Sequence, residues 1–412
     1  MIRALGVLLA LTACQDQSGT IQLGLTTAPG STVLDPVERL RVTITEPREV
    51  FETVRTDRGF DLELDVEATG LPGYLIIEGF AAGDVLVATG MSPPFSVNAI
   101  DARIAIYMAA PMSIEPAPAA LSPAREASAA ASLTYGAVLV GGRDPAAGTA
   151  LADVVVYNAY LHTFLAGLPL PGPRLGAALA VDSVDGAYIF GGLDAAGAET
   201  GTLWRFDTTS PPNGVYAVIA DEPAYARADE RMVTTGPDRY LVTGAPIVEL
   251  AGQTLLTRVE LPSLPQGGAG VLGPDGVPAA VFAGATGITR FRTNAFGLLS
   301  GDPRPDARVV TLPDRTILVV GGSTSAVRVD VVTGALTVIP SFLPVTCPDP
   351  ELVVTRRHVL TSCGTQTFVH DATTLEPLAT LPSAGTSLVA LPNDQVLMLR
   401  GSELALFTPP AP

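Results

Sequence analysis

Few side chains in this sequence could do chemistry, and they are scattered. His162, His358 and His370 are the only histidines, and Cys14, Cys347 and Cys363 the only cysteines, in 412 residues. No HExxH, no Ser-His-Asp order and no paired-carboxylate motif can be read, so neither a zinc-bound water nor an activated serine has a sequence signature. Acids drawn from separate segments could still meet in space. Glu126, Asp182, Asp229 and Asp306 lie on or beside small-residue segments that would face a central channel, although most read as turn or rim carboxylates. Asp144, in GGRDPAAGTALAD, and Asp194, in GGLDAAGAETG, recur after glycine doublets, but these loops lack the spaced oxygen ligands of a dedicated calcium loop. The doublets Gly141-Gly142 and Gly191-Gly192 could cradle phosphate only if each opened a helix, which neither does. They read instead as places of close backbone approach or positive φ. No metal and no cofactor is expected.

The elements that must position these residues are repeated strands. Seven apolar runs close on glycine at Gly142, Gly192, Gly244, Gly284, Gly322, Gly364 and Gly401, in steps of 50, 52, 40, 38, 42 and 37 residues. That is the period of propeller blades rather than of helical solenoids. Each unit reads as four strands: a small-residue first strand, often after an arginine (PAREASAAAS, GPRLGAALAV, PDARVVTLP), the glycine-closed second, a third ending in a turn, and an outer fourth. Asn158, Asp207, Asp330 and Asp371 stand where a side chain can bond the backbone two residues on and start that turn. The fourth run, AAVFAG, is the weakest, so the count is six or seven.

With Gly-Gly doublets closing second strands at Gly142, Gly192 and Gly322, and Tyr157, Trp204 and Phe206 downstream, residues 112–412 resemble kelch-type β-propellers of the galactose-oxidase central-domain kind. Four repeats keep a single glycine, and the regular fourth-strand tryptophan is missing. The resemblance implies a seven-bladed propeller, and because some kelch proteins are copper radical oxidases or a sialic acid epimerase, it raises catalysis. A copper site needs imidazoles with a tyrosinate oxygen. His370 stands where other repeats carry Tyr157 and Phe206, as a framework residue, and a single tryptophan with few histidines disfavours a redox-cofactor propeller.

The seventh repeat stops after its third strand, at LALFTPPAP. Residues 111–123, a Pro/Ala-rich stretch, have the cadence of a fourth strand, and Ile114 to Ala120 is the candidate to complete that blade and leave no open edge. The alternative is a proline-stiffened linker. Ahead of it, residues 20–110 show period-two strands separated by Pro, Gly and Asp turns, with the rhythm of an immunoglobulin-like or prealbumin-like β-sandwich but no Cys-Trp-Cys pattern. The fold class expected is therefore all-β: an N-terminal sandwich, then a propeller over residues 124–412.

Residues 1–14 carry a short positive end, an apolar run from Ala4 to Leu9 and then Leu11-Thr12-Ala13-Cys14. This is a secretory leader too short to span a bilayer. Leu-Thr-Ala-Cys resembles the lipobox of bacterial lipoproteins, which implies lipidation at Cys14, the alternative being a plain signal with an incidental cysteine. Asp16 stands one place beyond the position that retains such proteins in the inner membrane, so the bacterial outer membrane is the expected site. Cys347 and Cys363 flank a hairpin centred near Thr355 and would form a disulfide in an oxidising envelope, or else stay free and buried. A formal charge of −17, with every basic residue an arginine, argues against nucleic acid. The expected function is a membrane-anchored binding or scaffold module for an envelope protein or polysaccharide, the alternative a propeller enzyme acting on carbohydrate. Its loops after the second strands are long in the first two repeats, and Arg143, Asp144, Asp194 and Glu199 on them are the candidate contacts.

Overall fold

The computed structural model describes residues 18–57, 59–60, 62–67, 70–96, 102–210, 213–252 and 254–411, so Cys14 and the leader lie outside the described residues. The regular structure of the described residues is β, apart from one turn of 3-10 helix at Pro223–Tyr225. Six sheets follow one another along the chain, spanning 129–166, 178–221, 232–258, 267–300, 308–339 and 351–381. Each consists of four consecutive antiparallel strands. AAVFAG, the weakest repeat, forms Pro278–Gly284, the second strand of the fourth sheet. A seventh sheet joins the two ends of the region: Ser387–Ala390, Val396–Arg400 and Glu403–Thr408 are completed by Ser113–Pro116, in register Ser113 with Thr408 and Pro116 with Ala405. The completing strand starts one residue earlier than expected and is shorter. Ala117 extends it only by one bond, from its N–H to the Leu404 carbonyl at 3.0 Å.

Burial explains why the second strands read as unbroken apolar runs. Gly136–Val140 and Gly186–Phe190 are buried at every residue, because each sheet has a neighbour on both faces. The contacts between neighbours form seven hydrophobic clusters. Val138, Val140, Ile189 and Trp204 join sheets one and two, and Tyr188, Phe190, Tyr240 and Val248 join two and three. Clusters join three to four, four to five, five to six and six to seven in the same way. The last one, with Leu139, Val155, Tyr157, Leu397 and Leu406, joins sheet seven back to sheet one. The order of sheets is thus cyclic, and outer strands such as Val215–Asp221 are left half-exposed.

Glycine doublets and buried arginines make the joints between sheets. Gly142 donates its N–H to the Arg174 carbonyl at 2.9 Å, and Gly192 to the Arg227 carbonyl at 2.7 Å. At Gly141, which has φ 58°, a Cβ would lie 2.2 Å from the Arg174 carbonyl oxygen, so the residue must be glycine on two counts. The guanidinium of Arg125, fully buried, donates to the Asp153 carbonyl at 2.9 Å; Arg227 reaches the Thr243 carbonyl at 2.9 Å and Arg304 the Ser325 carbonyl at 2.7 Å. The expected turn starters behave as such: the Asn158, Asp207, Asp330 and Asp371 side chains each accept the backbone N–H two residues on.

Residues 18–107 form a separate unit with two larger sheets. Ser18–Thr26 lies between Glu63–Glu67, antiparallel, and Ala102–Tyr107, parallel. The second sheet runs Arg48–Val54, Arg39–Thr45, Leu75–Ala81, Val85–Met91. Ile21, Leu23, Ile104 and Ile106 of the first share a core with Leu40, Val42, Ile44 and Ile77 of the second. Arg48–Val54 was not among the legible strands, because its side chains alternate between exposed and half-buried rather than between exposed and core.

Candidate functional site

All seven sheets of the cyclic region meet around one cavity. A polar opening of about 440 Å³ is lined by Ala129, Leu179, Met232, Gly268, Arg308, Glu351 and Ser387, one residue from each sheet in turn, at the leading ends of the first strands. Its small residues, such as Ala127, Ala129 and Ala177, lie on or just ahead of the alanine-rich first strands that mark the repeat in the sequence.

Charge enters this mouth at three places. Arg231 and Arg308 precede or open the first strands of sheets three and five, and both donate to a single oxygen, Oε1 of Glu351 on sheet six, at 3.3 Å each. Arg308 also donates to Asp349 at 2.8 Å. Its Nε is buried without an acceptor among the described residues. The Arg231 side chain is 44% exposed, and partial loss of water inside the mouth holds its guanidinium below the ordinary pKa; Glu351 opposes that shift and Arg308 adds to it. Asp229 and Glu230 also line the mouth but are turned to its wall. The Asp229 carboxylate fills the space where Gly176 would carry a Cβ, and Glu230 accepts the Thr243 hydroxyl.

Of the four acids proposed for a channel, only Asp229 lines the mouth. Glu126 pairs with Arg143 at 2.8 Å on the rim, and Asp306 is exposed in a left-handed turn with φ 56°. Asp182, paired with Arg205 at 2.7 Å, belongs to a second cavity of about 350 Å³ at the opposite end of the first strands, beside Tyr240, Asp238 and Leu272. Arg231, Arg308 and Glu351 were missed as a group, since 120 residues separate the first from the last. The arginine of PDARVVTLP had seemed one of the recurrent strand-leading arginines. In the structure Arg304 does that framework work, and Arg308 is released to the mouth.

The two long loops flank this end of the molecule. Backbone bridges tie Arg143 to Glu126 and Leu193 to both Leu175 and Glu199. Asp144 accepts the N–H groups of Ala146 and Ala147 at 2.7 and 3.0 Å, and Asp194 those of Ala196 and Ala198 at 2.8 and 3.0 Å. These bonds hold both carboxyls below the usual carboxylate range, so the acids shape their loops as fixed anions.

His162 and His370 are held by framework contacts. His370 donates from Nε2 to the Phe342 carbonyl at 2.7 Å and stacks on that ring at 3.9 Å. His162 accepts the Tyr107 N–H at Nε2, 3.2 Å away, which places its proton on Nδ1, 2.7 Å from the Tyr157 hydroxyl. Cys347 and Cys363 form a disulfide with Cα atoms 5.7 Å apart. Among the described residues no group of three or more His, Cys, Asp or Glu side chains is arranged to hold a metal ion. No protein-family model matches the chain, and no curated protein matches it significantly.

Proposed function

We propose that this chain is a lipid-anchored, extracytoplasmic binding module, a seven-bladed kelch-like β-propeller carried on a small β-sandwich, whose ligand surface is the polar mouth and the two loops beside it. The observation that carries the reading is an open cavity to which all seven sheets contribute. A concave site built from strand ends on a closed scaffold is where binding groups converge. The cyclic order of clusters supports the propeller, and the core shared by the two N-terminal sheets supports the sandwich. Lipidation at Cys14 would place the assembly in the bacterial envelope, at the outer membrane, since several acyl chains anchor a protein without a spanning helix.

The binding reading is tested by a pull-down against envelope proteins and a glycan array with the chain from Gln17 onward. Deleting residues 144–150 and 194–200 should leave the chain folded, with its β circular dichroism and cooperative melting retained, and abolish capture of any partner found. Undiminished capture removes the loops from the surface, and conversion of a bound glycan makes the module an enzyme. The anchor is tested by metabolic labelling with an alkynyl fatty acid in a bacterial host. Label should enter the wild-type chain and not Cys14→Ala, which should move to the soluble fraction; label retained by the variant would refute lipidation at Cys14.

A further inference from the structure

Resting on the mouth as the ligand site, we propose that Arg231 and Arg308 form a carboxylate receptor there, occupied in the free protein by Glu351, and that its ligand is a hydroxyl-rich sugar acid of the hexuronate type. The argument is one of unmatched donors. Between them the two guanidinium groups make three hydrogen bonds to side-chain acceptors, two of them to the same oxygen of Glu351. A guanidinium carries more N–H donors than are used here, and Arg308 Nε is buried with no acceptor. The other acids of the mouth do not fill the deficit, because Asp229 lies against Gly176 and Glu230 takes the Thr243 hydroxyl. Asp349 stands largely in water, its side chain 74% exposed, and is a weak competitor. A planar carboxylate is the group that satisfies such donors two at a time.

The rest of the lining selects among carboxylates. Ser387 offers a hydroxyl, while Ser128, Gln266 and Thr386 spend a donor on the Gly141, Asp229 and Leu399 carbonyls and keep oxygens that can accept from ligand hydroxyls. The apolar surface is mainly alanine and glycine, without an aromatic platform or a deep apolar slot. That suits a ligand bristling with hydroxyls, and gives a peptide C-terminus nothing to anchor its side chains.

The test uses the full chain in detergent micelles, with trigalacturonate and its methyl ester as probes, read by isothermal titration and ligand-observed NMR. Trigalacturonate should bind at least tenfold more tightly than the uncharged ester. Arg231→Gln, whose side chain is half-exposed and makes one contact, should cost at least tenfold without lowering the melting temperature. Glu351→Gln keeps an acceptor for both arginines but removes the competing charge, so it should tighten binding severalfold, which a merely structural glutamate would not do. Equal binding of acid and ester overturns the carboxylate receptor while leaving the mouth as a site. Absence of binding by either overturns the sugar-acid assignment, and the pull-down decides the mouth separately. A tripeptide with a free C-terminus that binds more tightly than trigalacturonate also overturns it.

Discussion

At the scale of single residues, His162 shows how burial fixes a protonation state. Its Nε2 must stay unprotonated to accept the Tyr107 N–H, and burial pushes its pKa down to about 3. The folded pKa lies below the ordinary histidine value, so the unfolded chain takes up the proton first as pH falls. The contribution is complete above the ordinary histidine range and is lost progressively from there down to about pH 3. Its ceiling is on the order of 5 kcal/mol. His162→Gln should cost about 1–3 kcal/mol at pH 7 through unpaired buried groups. The gap from wild type should narrow as the pH approaches 4 in urea titrations, and a gap constant with pH would refute the assignment. The framework role of His370 was legible because it shares a repeat position with Tyr157 and Phe206. His162 stands in a turn between strands, and its partner Tyr107 lies 55 residues away, so no local pattern could reveal it. The mouth was illegible for a related reason. Arg304 precedes and Arg308 opens the same strand, and only tertiary packing decides which one joins the framework and which faces the mouth.

At the scale of elements, closure rests on Ser113–Pro116, a four-residue strand recruited from a proline-rich stretch. Outer strands elsewhere are free edges, and their exposed positions carry little energy. Leu298 on the fourth sheet is 67% exposed, and Leu298→Asp should change stability by no more than about 0.5 kcal/mol. Ile114 is also on an outer strand, but it packs with Val353, Leu360 and Phe407 in the cluster between sheets six and seven. Ile114→Asp should therefore cost about 2–4 kcal/mol and be felt by the whole region, because the seventh sheet links both ends of the cycle. Equal effects of the two substitutions in urea unfolding would show that the seam bears no special load. The strand was legible because the last repeat lacked a fourth member, a gap that an open edge makes costly. Its start and length were not, since Pro116 and Pro118 interrupt the alternation from which strand limits are read.

At the scale of the whole molecule, the N-terminal unit sits across that same seam. It touches sheets six, seven and one, through turns at the end opposite the mouth. The Asn393 amide donates to the Met91 carbonyl at 3.1 Å, the Arg356 guanidinium lies 4.2 Å over the Tyr74 ring, and the Ala105 N–H donates to the Tyr160 carbonyl at 2.8 Å. Tyr107, the last residue of the unit's final strand, bonds the Pro116 carbonyl through its hydroxyl at 2.9 Å and belongs to the cluster joining sheets seven and one. A cycle closed by a short strand is weakest where its two ends meet, and this unit clasps that place from outside while leaving the mouth free. The two parts should accordingly unfold together in a single calorimetric transition. Asn393 is fully buried between the Met91 carbonyl and Gln395, so Asn393→Asp would set a carboxylate against two acceptors with no donor to offer. The variant should split the transition in two, the lower one lifting the unit from the seam, with protection from hydrogen exchange lost first along Val85–Met91 and Ser113–Pro116. A single transition, merely shifted, would mean that the closing strand holds the cycle without the clasp.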